Sequence, residues 1–434
     1  MATNDKVPPV VTLLSELIRL DTSNPPGNEE GAVQFIEAIL GKEGIEAEIF
    51  SPEPKRANIL VRLKGRRAGS PVVLLSHLDV VPAHDEGWVV PPFSGAVQDG
   101  FIYGRGAIDM KSQVACQLLA FLGLVREGVT PERDMIFLAT ADEEMSGKLG
   151  VEYLLSKVED LRHASFVLSE GGWIFEEGGG LHGQISVAEK KVCQFMVRAR
   201  GTGGHGSMPH GDSANDKLVR AVEKIISARM PFRPTRIVTA YLNGLFKGRR
   251  VGKLRYSTLK EALRHEGFRA FVARDPMLNA FLRNTVALTM LRSGEKINVI
   301  PTESTACFDA RILPDASHEA FLRQMRKIAG PGVEVLLEGR TDSAGSPYSA
   351  SHFQALARAV RRIKGDIPVL PYLTTGATDL RHFRSLGIPA YGFFPVVLSK
   401  EEELRMHSLN ERLSIANLEE GLRGTEEIVR ALAL

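Results

Sequence analysis

Two stretches of the chain, Val72-Val73-Leu74-Leu75 and Met135-Ile136-Phe137-Leu138-Ala139, are of strand length and apolar at every position. A strand without polar alternation has to be covered on both faces. Segments of helical spacing lie around them: Val10 to Leu20, closed by the breaker run Asn24-Pro25-Pro26-Gly27, then Gly31 to Gly41 and Ser112 to Glu127. Apolar strands at Ala57 to Leu63, Pro71 to His77 and Met135 to Thr140, interleaved with helices, predict an α/β core built on a mostly parallel sheet.

The pattern changes near Lys191. Strands at Val192 to Ala199, Thr285 to Leu291, Thr305 to Leu313 and Val333 to Leu337, with helices at Asn215 to Met230 and His318 to Ala329, fit the split β-α-β layout of a ferredoxin-like domain. The expected organisation is a first core segment at 1–190, an inserted α+β domain at 191–338 and a return to the core at 339–434. An extra stretch at about 231–284 is basic around Lys247-Gly248-Arg249-Arg250 and helical in pattern from Ser257 to Phe281. Its residues Leu259, Leu263, Phe271, Val272, Leu278 and Phe281 fit either an apolar pocket wall or packing against the inserted domain.

Charge narrows the partners. With 54 Lys+Arg against 52 Asp+Glu the formal net charge is +2, too little for a polyanion-binding footprint, so no nucleic acid or membrane partner is expected. No run of 18 apolar residues predicts a membrane span. The N-terminal segment has helical spacing interrupted by Ser15, Glu16 and Arg19, unlike a signal peptide. Three scattered cysteines, Cys116, Cys193 and Cys307, suggest a reducing, cytoplasmic compartment.

Polar residues at the ends of the apolar strands carry the chemistry. The strand ending in Ser76-His77-Leu78-Asp79 places His77 and Asp79 on one face. A carboxylate beside an imidazole fixes its tautomer, a common arrangement around metals, although a lone His at a strand end is more often a satisfied core residue. Thirty residues after Asp79 comes Asp109, in the Gly-rich turn Gly104-Arg105-Gly106-Ala107-Ile108-Asp109 before a helix. Its plainer role is a carboxylate complementing the helix dipole.

The third strand runs into Ala141-Asp142-Glu143-Glu144, three carboxylates that are costly to cluster unless cations neutralise them or water solvates them. Glu170 follows the apolar Phe166-Val167-Leu168, and a late His407 precedes Ser408-Leu409-Asn410-Glu411. Together His77, Asp109, Glu144, Glu170 and His407 make a set of two histidines and three carboxylates suited to paired divalent ions of the zinc type.

The ordered motifs SHLDVVP, GRGAIDMK, ATADEEMSG, SEGG and MHSLNE resemble the co-catalytic dinuclear zinc peptidases and deacylases. That family includes aminoacylase, acetylornithine deacetylase, succinyl-diaminopimelate desuccinylase and glutamate carboxypeptidase. The resemblance spans nearly the whole chain. It implies a catalytic α/β domain with a mixed sheet covered by helices, plus an inserted ferredoxin-like domain serving as lid and dimerisation module.

It also implies residue roles. His77 and Glu170 would ligate one metal and Glu144 and His407 the other, with Asp109 bridging both and Asp79 orienting His77. Glu143 would be the general base. The bond Asp109-Met110 would be cis. In Gly203-Gly204-His205-Gly206-Ser207, His205 resembles the lid histidine that stabilises the oxyanion in the partner subunit's site. His210 reads as solvated. Asn298 and Arg311 resemble residues that hold the substrate carboxylate and carbonyl, and Gly376 and Thr378 belong to a loop that closes over substrate.

The function so implied is a metal-dependent amide hydrolase, homodimeric, with two divalent ions, zinc first and cobalt or manganese as substitutes. It would release a C-terminal amino acid from N-acyl-amino acids or short peptides. The alternatives are a dipeptidase that requires a free amino group, and an inactive interaction protein, which would need a ligand or the base to be missing.

Overall fold

The computed structural model describes residues 7–177, 180–246, 250–251, 254–255 and 258–434. The chain forms two compact units, one of residues 1–187, 346–372 and 378–434, the other of residues 188–345 and 373–377.

The first unit holds a large sheet. Its strands run in the order Glu48–Glu53, Arg56–Leu63, Met135–Thr140, Val72–His77, Phe166–Ser169, Ala390–Gly392, Gly180–Glu189, Ile174–Glu177 and Val397–Ser399, with Val369–Thr374 also paired to Gly180–Glu189. The sheet is mixed, which corrects the mostly parallel reading of the apolar pattern. Val72–His77 is parallel to both its neighbours, whereas Arg56–Leu63 is antiparallel to Glu48–Glu53 and to Met135–Thr140. The reason is local: only Pro54-Lys55 separates the first two strands, and Lys55 takes a left-handed φ of 66°, so the chain must fold back on itself.

Helices cover both faces. Lys111–Arg126 is apolar nearly all round and packs against Val72–His77, Met135–Thr140 and the last helix, Ile415–Ala433, whose N-terminus is capped by the Ser414 hydroxyl on Asn417 N–H. A second apolar cluster joins Val73, Leu75, Ile136 and Leu138 to Val151, Leu154, Leu380 and Phe383 from the helices Val151–Lys157 and Leu380–Ser385. Burial of the central strands on both faces therefore puts their C-terminal ends, with His77 and the residues after Thr140, at one rim of a rigid platform.

The second unit holds a four-stranded antiparallel sheet in the order Thr285–Ser293, Glu303–Ile312, Lys191–Arg200 and Val333–Arg340. Burial alternates along its two central strands, as one covered face requires, and Phe195 stacks on Phe308 at 4.9 Å beneath Phe321. The helices Ala214–Ser227 and His318–Ala329 lie against it, capped by Ser213 and Ser317. Strand order and connection are those of the ferredoxin-like layout.

The extra stretch is helical in several pieces. It forms Arg236–Phe246, Leu259–Ala262, Glu266–Arg274 and Pro276–Leu282, because Pro276 cannot continue the preceding helix and Asp275 instead accepts the Leu278 N–H to start a new one. Leu259, Val272 and Phe281 are buried, Leu263 and Leu278 half-buried, and Phe271 is exposed. Lys247, Gly248, Arg249 and Ser257 lie outside the described residues. No helix among the described residues is long and apolar enough to cross a membrane.

Candidate active site

The strand Val72–His77 delivers His77 to the rim, where it is almost fully buried. Its Nε2 lies 3.1 Å from Asp109 Oδ1 and 3.6 Å from Glu170 Oε1. The other Asp109 oxygen, Oδ2, is 3.0 Å from Nε2 of His407, which lies 3.4 Å from Glu144 Oε1. One carboxylate thus faces two histidines with its two oxygens, and each histidine has its own glutamate. Among the described residues, His77, Asp109 and Glu144 form one group able to hold a metal ion, and His77, Glu143 and Glu170 another.

Backbone turns aim these groups. Asp109-Met110 is cis, and His407 has a left-handed φ of 60°. Glu411, buried four residues after His407, accepts the Ile108 N–H at 2.7 Å and the Asp109 N–H at 3.1 Å while paired with Arg105 at 2.6 Å. The segment that carries His407 therefore also fixes the backbone of Asp109.

Asp79 touches both the histidine and the acidic segment. His77 Nδ1 donates to the Asp79 backbone carbonyl at 2.9 Å, while the nearest oxygen of its carboxylate is 3.6 Å away. That hydrogen bond leaves Nε2 of His77 to face Asp109 and Glu170. The Asp79 carboxylate accepts the amides of Glu143 at 3.1 Å and Glu144 at 3.0 Å. Two consecutive amides on one carboxylate fix a tight turn, so Asp79 holds the acidic segment as well as the histidine.

Burial and crowding shift the acidity of every group in the cluster. Burial, reinforced by Glu170, pushes the Glu143 carboxyl well above the usual range, and burial with Asp109 does the same to Glu170. Glu144 is also raised by burial, which the His407 ring 3.4 Å from its Oε1 opposes. Burial opposes ionisation of Asp109, yet His407 and His77 hold it well below the carboxylate range. Asp109 and then Glu144 raise His407 to about 10. Burial opposes a charge on His77, but Glu170 and Asp109 raise it well above the imidazole range. Four carboxyl groups whose ionisation burial opposes, crowded around two histidines, fit divalent cations.

In the second unit, His205 sits on a two-residue strand, Gly204–His205, paired antiparallel with Val299–Ile300. Gly206 N–H donates to the Asn298 carbonyl at 2.8 Å, so His205 and Asn298 are brought together, both exposed. The Ser207 N–H donates to His205 Nδ1 at 3.2 Å, and the Ser207 hydroxyl lies 2.7 Å from the same atom. With Nδ1 accepting, the neutral ring carries its proton on Nε2, ready to donate. His210 is half-buried with Nδ1 accepting the Asp212 N–H, which corrects the solvated reading.

Arg311 is elsewhere. It lies eight residues along the strand from Glu303, about 26 Å at ~3.3 Å per residue, at the end of the strand away from the turn that joins Val299–Ile300 to it. Its Nε contacts Asp309 at 3.1 Å. Gly376 is exposed, and the Thr378 hydroxyl accepts the Leu380 N–H at 3.3 Å.

Residues 73–431 match the family model described as peptidase family M20/M25/M40. The chain belongs to this family. It is 30% identical over 388 residues to the mouse (Mus musculus) N-fatty-acyl-amino acid synthase/hydrolase PM20D1, covering 83% of this chain and 74% of that protein. It is 28% identical to mouse aminoacylase-1, covering 93% of this chain and 90% of that protein. A metallo-carboxypeptidase of the M20 family from Sulfolobus solfataricus shares the fold, with a TM-score of 0.76 at 18% identity over 98% of this chain and 99% of that one. As an M20 peptidase the chain is a metal-dependent amide hydrolase.

Several residues around this M20 centre escaped the sequence reading. Asn24 was read only as part of a helix-terminating run, Arg56 fell just outside the strand expected at Ala57 to Leu63, and Glu411 was only a neighbour of His407. Their burial was the missing signal, since a buried Asn, Arg or Glu has to be paired and only the fold shows with what.

Proposed function

We propose that this M20 hydrolase releases an amino acid from the C-terminal side of an amide bond in N-acyl-amino acids or short peptides, using two divalent ions, zinc first, with cobalt or manganese as substitutes. One observation carries the reading: Asp109 offers its two oxygens to two different histidines, at 3.1 and 3.0 Å, each backed by a separate glutamate. His77 and Glu170 would hold one ion, Glu144 and His407 the other, and Asp109 both. The relatives named as N-fatty-acyl-amino acid synthase/hydrolase and aminoacylase support the substrate class.

When bound, such a metal pair lowers the pKa of a shared water toward about 7 and polarises the amide carbonyl. Glu143, beside His77 and Glu170, takes the water proton as the C–O bond forms and returns it to the leaving nitrogen as the C–N bond breaks. His205 donates from Nε2 to the carbonyl oxygen as negative charge develops on it, a contribution of about 3–4 kcal/mol for donors of this kind. Asn298 and Arg311 orient the substrate, Arg311 through a fork suited to a carboxylate. Gly376 and Thr378 belong to the loop that covers it.

The separation of Arg311 from His205 and Asn298 supports a homodimer in which His205 and Asn298 serve the site of the second copy. Among the described residues the edge strand Thr285–Ser293 pairs on one side only, and its Met290 and Leu291 are exposed, which suits pairing between copies. Three free cysteines support a reducing, cytoplasmic setting. The boundaries 1–190, 191–338 and 339–434 remain our division into catalytic and lid segments.

A panel of one amino acid carrying acetyl, hexanoyl, decanoyl and benzoyl groups, beside a dipeptide with a free amino group, tests this with and without a chelator. Chelator-sensitive release of the amino acid from the acylated compounds is expected. Turnover of the free dipeptide alone overturns it in favour of a dipeptidase.

A further inference from the structure

The run Asn24-Pro25-Pro26-Gly27, which ends the first helix, does more than break it. Asn24 is buried, and its backbone N–H donates to the Val80 carbonyl at 2.9 Å. Ser23 forms a parallel bridge with Val80, and the Thr22 hydroxyl donates to the Leu78 carbonyl at 2.7 Å. The segment thus lies alongside Leu78–Val80, immediately beyond His77.

From there the Asn24 carboxamide nitrogen donates to Asp79 Oδ2 at 2.9 Å and approaches Asp142 Oδ1 at 3.3 Å. Asp79 is the carboxylate that receives the amides of Glu143 and Glu144. Asp142 is the residue that turns the chain after Thr140, with a left-handed φ of 70°. Its Oδ2 accepts the Ser146 hydroxyl at 2.9 Å and the Leu149 N–H at 3.2 Å. One neutral amide group therefore bridges the two carboxylates that set the path of residues 142–149.

The bridge is itself supported. Arg56 reaches Asp142 Oδ1 at 3.3 Å while paired with the fully buried Glu29 through two nitrogens, at 2.7 and 2.8 Å, and with the Pro26 carbonyl at 3.2 Å. Gly27 passes so close that a Cβ there would sit 2.3 Å from the Arg56 guanidinium carbon, and its φ of +85° also favours glycine. A charged donor is already supplied by Arg56. What remains between Asp79 and Asp142 is a place for two N–H groups on one uncharged nitrogen, and a carboxamide provides them.

We propose that Asn24 is a positioning residue for the metal centre, holding the turn that carries Glu143 and Glu144 in register with His77 by joining Asp79 to Asp142. The inference rests on the metal-centre reading above. Removing the amide leaves Asp79 and Asp142 without their shared donor and frees the Glu144 backbone to move against His407 and Asp109. Groups that orient metal ligands through hydrogen bonds are typically worth about 10–100-fold in metal affinity.

The test compares full-length wild type with Asn24→Ala by competition with a chromophoric zinc chelator, and by thermal melting of each protein with zinc and with EDTA. The expected result is a 10–100-fold weaker affinity for at least one zinc in Asn24→Ala, and a smaller rise in melting temperature on adding zinc. Equal affinities, with the melting temperature lowered by the same amount in both states, would make Asn24 merely structural and overturn the inference. A wild type that binds no zinc overturns the metal reading instead, and the inference with it. Should Asn24→Ala not accumulate as folded protein, Asn24→Ser takes its place, with the same two outcomes read in the same way.

Discussion

Glu411 accepts the Asp109 amide at 3.1 Å, tying the backbone of the carboxylate between the two histidines to the segment that supplies His407. The second oxygen of Glu411 pairs with the buried Arg105. Breaking a buried pair of this kind typically costs about 3–5 kcal/mol, because the partner charge is left without compensation. Glu411→Ala is expected to lose stability of that order in denaturant unfolding. A loss below ~1 kcal/mol would show that the pair contributes little.

Neighbouring glutamates divide their work. Glu143→Ala should lose about 10²–10⁴-fold in kcat/KM and keep both ions, because the base acts on the water. Glu144→Ala should lose one ion. Metal content by elemental analysis and initial rates decide this, and equal metal content with equal residual rates would disprove the division.

Metal stoichiometry is a separate expectation. Protein purified without chelator should hold two divalent ions per chain, and activity removed by a chelator should return on adding zinc, cobalt or manganese. Fewer than one bound ion without recovery would leave the buried carboxylates to be explained otherwise.

Complementation between copies follows from the proposed homodimer. Inactive His205→Ala mixed with inactive Glu143→Ala should regain activity, since a heterodimer can contain one site with an intact Glu143 and an intact His205. Size-exclusion chromatography shows whether subunits exchange. Exchange with no recovered rate would place His205 in its own chain's site or outside the chemistry.

Lys190 gives a pH dependence of stability. Burial, aided by Arg311, lowers its pKa from 10.5 to about 7 in the fold, where Nζ donates to the Arg283 carbonyl and Thr285 Oγ1, both at 3.0 Å. Between pH 7 and 10.5 the unfolded chain binds more protons at this residue, so its contribution to stability rises with pH across that window. Below pH 7 the destabilising contribution is fully present. The slope approaches about 1.4 kcal/mol per pH unit. Lys190→Met should remove this component from unfolding free energies measured at pH 7, 8 and 9; an unchanged slope would show that Lys190 is not its source.

Much of this architecture was legible beforehand because strand-length apolar runs are unambiguous. Met135–Thr140 and His318–Ala329 have the bounds expected from sequence, and His77 ends its strand as its pattern predicted. Strand direction was not legible, because an apolar strand has the same composition whichever way it pairs; the fold-back at Lys55 decided it. Nor was the role of the Asp79 carboxylate. Its spacing from His77 suggested a direct contact, while the fold turns it toward the amides of Glu143 and Glu144 and leaves its backbone carbonyl for the ring. Asn24 and Arg56 act on residues far along the chain, which no local pattern reveals.

The order in which the chain contributes to its two sheets has a consequence for synthesis. Ala390–Gly392 lies between Phe166–Ser169 and Gly180–Glu189 in the large sheet, whereas the four-stranded sheet is complete by Arg340. On an elongating ribosome the smaller sheet has all its strands while the larger one still has a gap at its middle, with apolar edges open to water. The gap closes only after residue 392 emerges, and His407 follows it. The nascent enzyme therefore cannot complete its hydrolytic centre before the strand that fills the middle of its large sheet has been made, and until then the edges on either side of that gap are open to wrong pairing.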